Sequence, residues 1–179
     1  MIGESILSEQ SDQGVATLTF NRPDVSNAYN GEMIEALAHS VEKFSNDDCV
    51  RMIVLKANGS DFQAGADLNW LTKVASLSEE KNIEISQNTT DAVRGLNECP
   101  KPTLAMVHGA CLGGGTGIVA SCDIVVASSD AIFSIAEARW GLHAGPILPQ
   151  LAAAIGTRQL RKLALTGENF GALEAKRLG

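Results

Sequence analysis

Two glycine-rich turns, each placed behind a strand-like apolar run, constrain the fold of this 179-residue chain more than any other feature. The first turn, residues 62–68, follows the apolar run 52–55, and the second, residues 109–117, follows the run 103–107. Short continuous apolar runs are typical of strands that are covered on both faces. Each turn leads through small residues into a segment that is predicted to be helical. The pattern therefore favours an α/β fold in which helices pack on sheets.

The other predicted elements agree with an α/β fold. Residues 30–45 are predicted to form an amphipathic helix, because the apolar side chains of Met33, Ile34, Leu37, Val41 and Phe44 fall on one face. Asn30 is the predicted cap of this helix. Further strands are predicted at 15–20, 124–127 and 131–134, and further helices at 83–97, 115–122 and from 149 to the end of the chain. The length suits one domain that covers residues 1–179.

Charge and composition exclude several classes of function. The formal net charge of −7 argues against nucleic acid as a partner, because phosphate contacts need clustered Lys and Arg. No apolar run is long enough to span a bilayer, and the N-terminus lacks the pattern of a signal peptide, so a cytoplasmic protein is expected. The histidines and cysteines show no ligand spacing, so no metal site is expected.

The glycine turns allow three uses. They can serve packing alone, because glycine permits tight turns and close helix approach. Nucleotide binding is disfavoured, since the chain has neither a G-x-G-x-x-G behind an N-terminal strand nor a G-x-x-x-x-G-K-[ST] motif. The third use is an oxyanion hole, in which one free N–H group from each turn points at a single oxygen atom.

The order of several motifs resembles that of the enoyl-CoA hydratase/isomerase (crotonase) family over almost the whole chain. The resemblance is strongest from Leu104 to Ile124, which includes the three glycines at 113–115. It also includes Leu18–Pro23, Asn27-Ala28, Ala64–Leu68, Phe133, Glu137 and Gly141-Leu142. The resemblance implies a crotonase-like fold of repeated ββα units. It also implies that the C-terminal helices of the family are largely missing, because the sequence stops at Gly179 in mid-pattern.

The same resemblance assigns site residues by position. Ala66 and Gly114 match the residues whose N–H groups hold the thioester carbonyl oxygen of an acyl-CoA. The substrate and its CoA are expected to contact Ala64, Ala66, Asp67, Leu68, Gly113 and Gly114. No cofactor is implied beyond the coenzyme A of the substrate, and the full-length protein is expected to be a homotrimer or hexamer.

One acidic residue carries the implied proton chemistry. Family hydratases often use two glutamates; Glu137 matches the second, but Gly117 stands at the position of the first. Glu137 follows an apolar run and precedes Trp140, so burial should raise its pKa and suit it to proton transfer. The alternative is a surface glutamate that forms a salt bridge with Arg139. His143 is a candidate for a second acid/base.

The resemblance leaves several functions open. The expected reaction is the addition of water to a 2-enoyl-CoA, and segments such as Ala64–Trp70 resemble the 3-methylglutaconyl-CoA hydratases. Arg139 and His143 are candidates to bind the distal carboxylate of such a substrate, although loop residues of these types are more often surface contacts. A single glutamate also suits an enoyl-CoA isomerase. A non-catalytic protein that binds acyl-CoA is the alternative from another class.

Overall fold

The structure is a computed structural model that describes residues 4–179, and its strands form two sheets. In chain order the strands are β1 (Ile6–Gln10), β2 (Val15–Phe20), β3 (Met52–Ala57), β4 (Thr103–Val107), β5 (Ala110–Leu112), β6 (Ile124–Ala127), β7 (Ile132–Ser134) and β8 (Phe170–Gly171). The central five-stranded sheet has the order β1-β2-β3-β4-β6, and the second sheet has the order β5-β7-β8. The strands β2, β3, β4 and β6 run parallel, whereas β1 is antiparallel to β2. The carboxyl ends of β2, β3 and β4 therefore meet at one edge of the sheet.

Six helices surround these sheets within the described residues. They are α1 (Gly31–Ser45), α2 (Leu68–Ala75), α3 (Glu79–Asn97), α4 (Gly114–Ala120), α5 (Leu148–Thr166) and α6 (Ala172–Leu178). The predicted cap of α1 is confirmed, since Asn30 Oδ1 accepts a hydrogen bond from the Met33 amide at 3.0 Å. Asp67 caps α2 in the same way by accepting from the Asn69 and Trp70 amides. None of the helices in residues 4–179 is long and apolar enough to cross a membrane.

The core lies between the five-stranded sheet and the helices α1 and α3. Leu18, Ile53 and Leu55 have no exposed surface, as expected for strands that are covered on both faces. The apolar face predicted for α1 is confirmed, because all five of its side chains are buried. Val93 and Leu96 of α3 belong to the same cluster. This packing fixes the sheet edge from which the two glycine turns start.

The expectation of helix from residue 149 to the end of the chain is confirmed for α5 and α6, but it is wrong for the residues between them. Gly156 adopts φ 76°, which kinks α5, and Gly167 ends the helix at φ 60°. The short strand β8 then pairs antiparallel with β7 before α6 begins. The helix predicted after the first glycine turn is confirmed as α2, whereas the strands β1, β5 and β8 were not predicted. In β1 only Ile6 is buried, so the alternation that identifies a strand is missing from its sequence.

A buried asparagine joins the segment after β2 to the loop after β3. Asn27 has no exposed surface and adopts φ 55°. Its Nδ2 donates to the carbonyl oxygens of Asn58 and Asp61, both at 2.8 Å. Its Oδ1 accepts from the Arg22 amide at 2.8 Å. The side chain therefore positions the residues that follow it, including Tyr29, against the first glycine turn.

We expect Asn27→Ala to lower the free energy of unfolding by about 3 kcal/mol, because it leaves buried groups without partners at a left-handed position. Urea denaturation would measure the change. Asn46→Ala is the matched control, since Asn46 donates one exposed bond to Glu42 within a helix end. It should stay within about 0.5 kcal/mol of the parent. Equal stability of the two variants would contradict this role for Asn27.

Candidate active site

A cleft of about 440 Å³ opens where both glycine turns meet α2, α3 and the segment 136–147. The backbone of both turns lines one side of this cleft. The other walls are mostly apolar, as is usual for pockets that bind small molecules. Side chains that line the cleft include Tyr29, Trp70, Leu71, Val74, Ile85, Glu137, Arg139, Trp140, His143 and Ile147. The tertiary structure thus brings the predicted residues Ala66, Gly114, Glu137 and His143 to one cavity.

Backbone hydrogen bonds hold the first turn against the segment after β2. The Tyr29 amide donates to Gly65 O at 2.9 Å, and the Asp67 amide donates to Tyr29 O at 2.8 Å. Tyr29 therefore brackets Ala66 from both sides. Asp67 also pairs with Arg22 at 3.0 Å, which restrains the residue after Ala66.

A second set of bonds holds the two turns against each other. The Gln63 amide donates to Ala110 O at 3.0 Å, and the Leu112 amide donates to Gln63 O at 2.8 Å. The buried side chain of Gln63 folds back onto its own turn, where its Oε1 accepts from the Gly65 amide at 2.7 Å. The first turn is therefore rigid on both sides.

Glycine is required where the turns touch. Gly65 and Gly113 adopt φ values of 89° and 51°, which other residues rarely adopt. A Cβ atom on Gly113 would lie 3.6 Å from Gly65 Cα and 3.0 Å from Glu137 Oε1. A Cβ atom on Gly65 would lie 3.3 Å from Leu112 O. The two backbones and the carboxylate of Glu137 are therefore in mutual contact.

Two amides in the turns lack acceptors. Within residues 4–179, the N–H groups of Ala66 and Gly114 donate to no backbone or side-chain oxygen. Their neighbours are engaged: the Ala64 amide donates to Ser26 O at 3.0 Å, and the Gly113 amide donates to Ser134 O at 2.8 Å. Gly113 therefore has no free amide for a ligand, and its lack of a side chain leaves room for Gly65 and Glu137. Leu68 begins α2 and is half exposed.

Glu137 begins a short 3₁₀ helix, Glu137–Trp140, at the wall of the cleft. Its Oε2 is buried and has no hydrogen-bond partner within residues 4–179. Burial raises the pKa of this carboxyl above its ordinary value, and a hydrogen bond from its own backbone amide offsets only part of the effect. The alternative of a surface salt bridge is wrong, because the Arg139 guanidinium donates to Asn169 Oδ1 at 3.0 Å instead.

The space that a side chain at Gly117 would need is occupied by Ile147. A Cβ atom on Gly117 would overlap Cγ2 and Cβ of Ile147, whose side chain is buried against α4. No side chain of any length fits at this position while Ile147 stays in place. Glu137 is therefore the only acidic side chain among the described residues that line the cleft.

Tyr29 is the site residue that sequence reasoning missed. Its ring packs edge-to-face on Trp70 at a centroid distance of 6.0 Å. Burial, and then the charge of Glu137, raise the pKa of its phenol well above the ordinary value. Its position two residues after Asn27 was the available signal, although only the pairing with Ala66 brings it into the cleft. His143 is exposed at the rim, with its Nδ1 directed towards Gly145.

Comparison with known proteins decides the family. A sequence model described as enoyl-CoA hydratase/isomerase matches residues 10–179, which is nearly the whole chain. The chain belongs to the enoyl-CoA hydratase/isomerase family. The backbone agrees, since an enoyl-CoA hydratase from Shewanella pealeana superposes with a TM-score of 0.94 at 34% identity, over 97% of this chain. The expected crotonase-like α/β fold is thereby confirmed.

Relatives of this family member carry more than one activity in their names. It is 33% identical over 181 residues to the 2,3-dehydroadipyl-CoA hydratase of Escherichia coli, covering 99% of this chain and 68% of the relative. It is 32% identical over 183 residues to a mitochondrial Delta(3,5)-Delta(2,4)-dienoyl-CoA isomerase of Dictyostelium discoideum, covering 96% of this chain. The chain spans 61% of the length of that isomerase and 65% of the Shewanella protein.

Protonation of Glu137 should couple to stability. Because burial raises its pKa, the native state binds this proton more tightly than the unfolded chain does, so ionisation lowers the free energy of unfolding as the pH rises. We expect Glu137→Gln to raise the Tm at about pH 7.5 and the gain to vanish towards about pH 4, where the unfolded carboxyl is also protonated. Glu9→Gln, on the exposed strand β1, is the control and should give no such gain. A gain that grows on acidification would contradict the assignment.

Alanine substitutions at two helical glycines should distinguish a position whose side-chain space is occupied from one whose side-chain space is open. We expect Gly117→Ala to lower the free energy of unfolding by about 2 kcal/mol or more, because the methyl group overlaps Ile147. Gly95→Ala is the matched control, since a Cβ atom there has nothing within 4 Å. It should raise stability by about 0.5–1 kcal/mol through helix propensity. Thermal and urea unfolding measure both changes, and a neutral Gly117→Ala would show that the space is open.

Proposed function

We propose that the full-length protein adds water across the double bond of a 2-enoyl-CoA. One observation carries this proposal: two amides without acceptors, those of Ala66 and Gly114, lie in touching turns beside the buried carboxylate of Glu137. Such donors suit an oxygen that gains charge during the reaction, and the carboxylate suits the proton transfers that accompany it.

The proposed role of the two amides is to hold the thioester oxygen. As water attacks the β-carbon, the electron pair of the double bond moves towards this oxygen and an enolate forms. Rigid donors stabilise the enolate more than the neutral thioester, and the loss of one such donor typically raises the barrier by about 3 kcal/mol. The bonds from Tyr29 to Gly65 and Asp67 hold the Ala66 amide in place before substrate arrives.

The proposed role of Glu137 is to move the proton. Its ionised carboxylate accepts a proton from water while the oxygen of that water bonds to the β-carbon. The resulting carboxyl group then donates this proton to the α-carbon, and the carboxylate is regenerated. A raised pKa favours both steps near neutral pH. The reaction changes no oxidation state, so we propose no cofactor other than the coenzyme A of the substrate.

The side chains in the walls of the cleft suit certain acyl groups better than others. Leu71, Val74 and Ile85 offer an apolar surface to a hydrocarbon chain. Arg139 lines the same cleft and is exposed, and we propose it as the cation that binds a distal carboxylate such as that of 3-methylglutaconyl-CoA. This substrate, contacts of CoA with Ala64, Asp67, Leu68 and Gly113, a homotrimer or hexamer, and a cytoplasmic location remain predictions from the family resemblance.

An enoyl-CoA isomerase is the second candidate, and a specific observation favours it. Ile147 fills the space beside Gly117, which leaves Glu137 as the one carboxyl group among the described lining residues. Isomerisation needs only one group that removes a proton at one carbon and returns it at another. The dienoyl-CoA isomerase of Dictyostelium discoideum, 32% identical, is a relative with an isomerase name.

An assay of the purified full-length protein tests both candidates and the non-catalytic alternative. Crotonyl-CoA and 3-methylglutaconyl-CoA report hydration, and a 3-enoyl-CoA reports isomerisation. We expect hydration, and we expect Glu137→Gln to lower kcat by ~100-fold or more with little change in KM. Glu9→Gln removes a carboxylate far from the cleft and should keep full activity. Isomerisation without hydration would favour the second candidate, and binding of acyl-CoA without turnover would favour the third.

A further inference from the structure

Two polar groups that line the cleft make no hydrogen bond within residues 4–179, namely Glu137 Oε2 and the Tyr29 hydroxyl. Glu137 Oε2 is also buried. Buried polar atoms in folded proteins are nearly always satisfied, so this unsatisfied oxygen in a cavity marks a place for a small polar molecule.

The backbone of the second turn shows how near these groups lie. A Cβ atom on Gly113 would come to 3.0 Å from Glu137 Oε1, and one on Gly114 would come to 2.9 Å from Tyr29 Oη. Since Gly113 and Gly114 are consecutive, the carboxylate and the hydroxyl approach the two residues that share one peptide unit. The free amide of Gly114 lies at the same place.

Electrostatics agrees with this proximity. Burial, and then the charge of Glu137, raise the pKa of Tyr29, as expected for two ionisable groups that line one cleft. The phenol therefore stays neutral while Glu137 is ionised. A neutral hydroxyl can accept one hydrogen of a water molecule and donate its own.

The other side chains at this part of the cleft offer less to a water molecule. Ile147 presents an aliphatic side chain beside Gly117, and the ring of Tyr29 packs on Trp70. Thr89 lines the cleft, but its hydroxyl donates to Ile85 O within its own helix at 3.1 Å. Among the polar side chains that line the cleft, Tyr29 is the one that lies against Gly114, the residue next to the Gly113 that Glu137 approaches.

We propose that the hydroxyl of Tyr29 holds the water molecule that Glu137 deprotonates; this assignment rests on the proposed hydratase function. The water donates one hydrogen to Glu137 Oε2 and the other to Tyr29 Oη, which leaves a lone pair for the β-carbon. When the carbon–oxygen bond forms, the π electrons move to the thioester oxygen and the proton passes to Glu137, then to the α-carbon. Tyr29 gains and loses no proton.

Tyr29→Phe tests the proposal, because it removes the hydroxyl and keeps the ring on Trp70. Two reactions of the full-length protein are compared: hydration of crotonyl-CoA, and exchange of the α-protons of butyryl-CoA in D₂O, which needs Glu137 and the amides but no added water. We expect kcat for hydration to fall on the order of 10- to 100-fold, as for the loss of a hydrogen bond to a charged reacting group, with KM, α-proton exchange and Tm unchanged. Ser121→Ala is the matched control. Its buried hydroxyl donates to Gly117 O at 2.8 Å at the C-terminal end of α4, and Ser121 does not line the cleft, so both reactions should persist.

Each other outcome overturns the proposal in a distinct way. An equal fall of hydration and exchange would place the hydroxyl at the thioester oxygen, and a loss of Tm would make it a structural group. Unchanged hydration in Tyr29→Phe, with a selective loss in His143→Ala, would assign the water to His143. Hydration absent from the parent protein is a separate result, since it refutes the proposed function rather than the role of Tyr29.

Discussion

The close approach of two glycine backbones, at Gly65 and Gly113, is the constraint on which the site depends. Each residue adopts a positive φ, and each leaves out a side chain that the other turn or Glu137 would meet. Hydrogen bonds from Tyr29 and from the turn between Gln63 and Leu112 hold this contact. If either glycine carried a side chain, the two turns that hold the amides of Ala66 and Gly114 would be pushed apart.

The same contact explains why an unsatisfied carboxylate persists in the cleft. Glu137 lies against Gly113, where burial disfavours its charge and no partner within residues 4–179 compensates its Oε2. A group of this kind lowers stability and is tolerated where the surrounding structure determines its position. Here the surroundings are a buried core, Asn27 at the turn entrance, and the helices α1 and α3. The fold thus supplies the rigidity that lets a reactive group remain poorly solvated.

Membership of the enoyl-CoA hydratase/isomerase family does not choose among the reactions that the names of its relatives describe. The choice depends on what accompanies Glu137. Ile147 removes the space for a second carboxylate beside Gly117, and Tyr29 brings a hydroxyl to Gly114, the neighbour of the residue that Glu137 approaches. A carboxylate alone suffices to move a proton between carbons, whereas water needs a second partner to be oriented. In our proposal the distinction between hydratase and isomerase therefore depends on the hydroxyl group of Tyr29.

The sequence by itself determined the local elements and, through the family register, Ala66, Gly114 and Glu137 as candidates. Helix α1 and its cap were predictable because periodicity and capping depend on residues a few positions apart. The edge strand β1, with one buried side chain, gave too little alternation to be recognised. Only the tertiary structure decided that Tyr29 enters the cleft and that Ile147 fills the space at Gly117. Both follow from contacts between segments far apart in the chain, and no local pattern encodes which distant side chain occupies a given space.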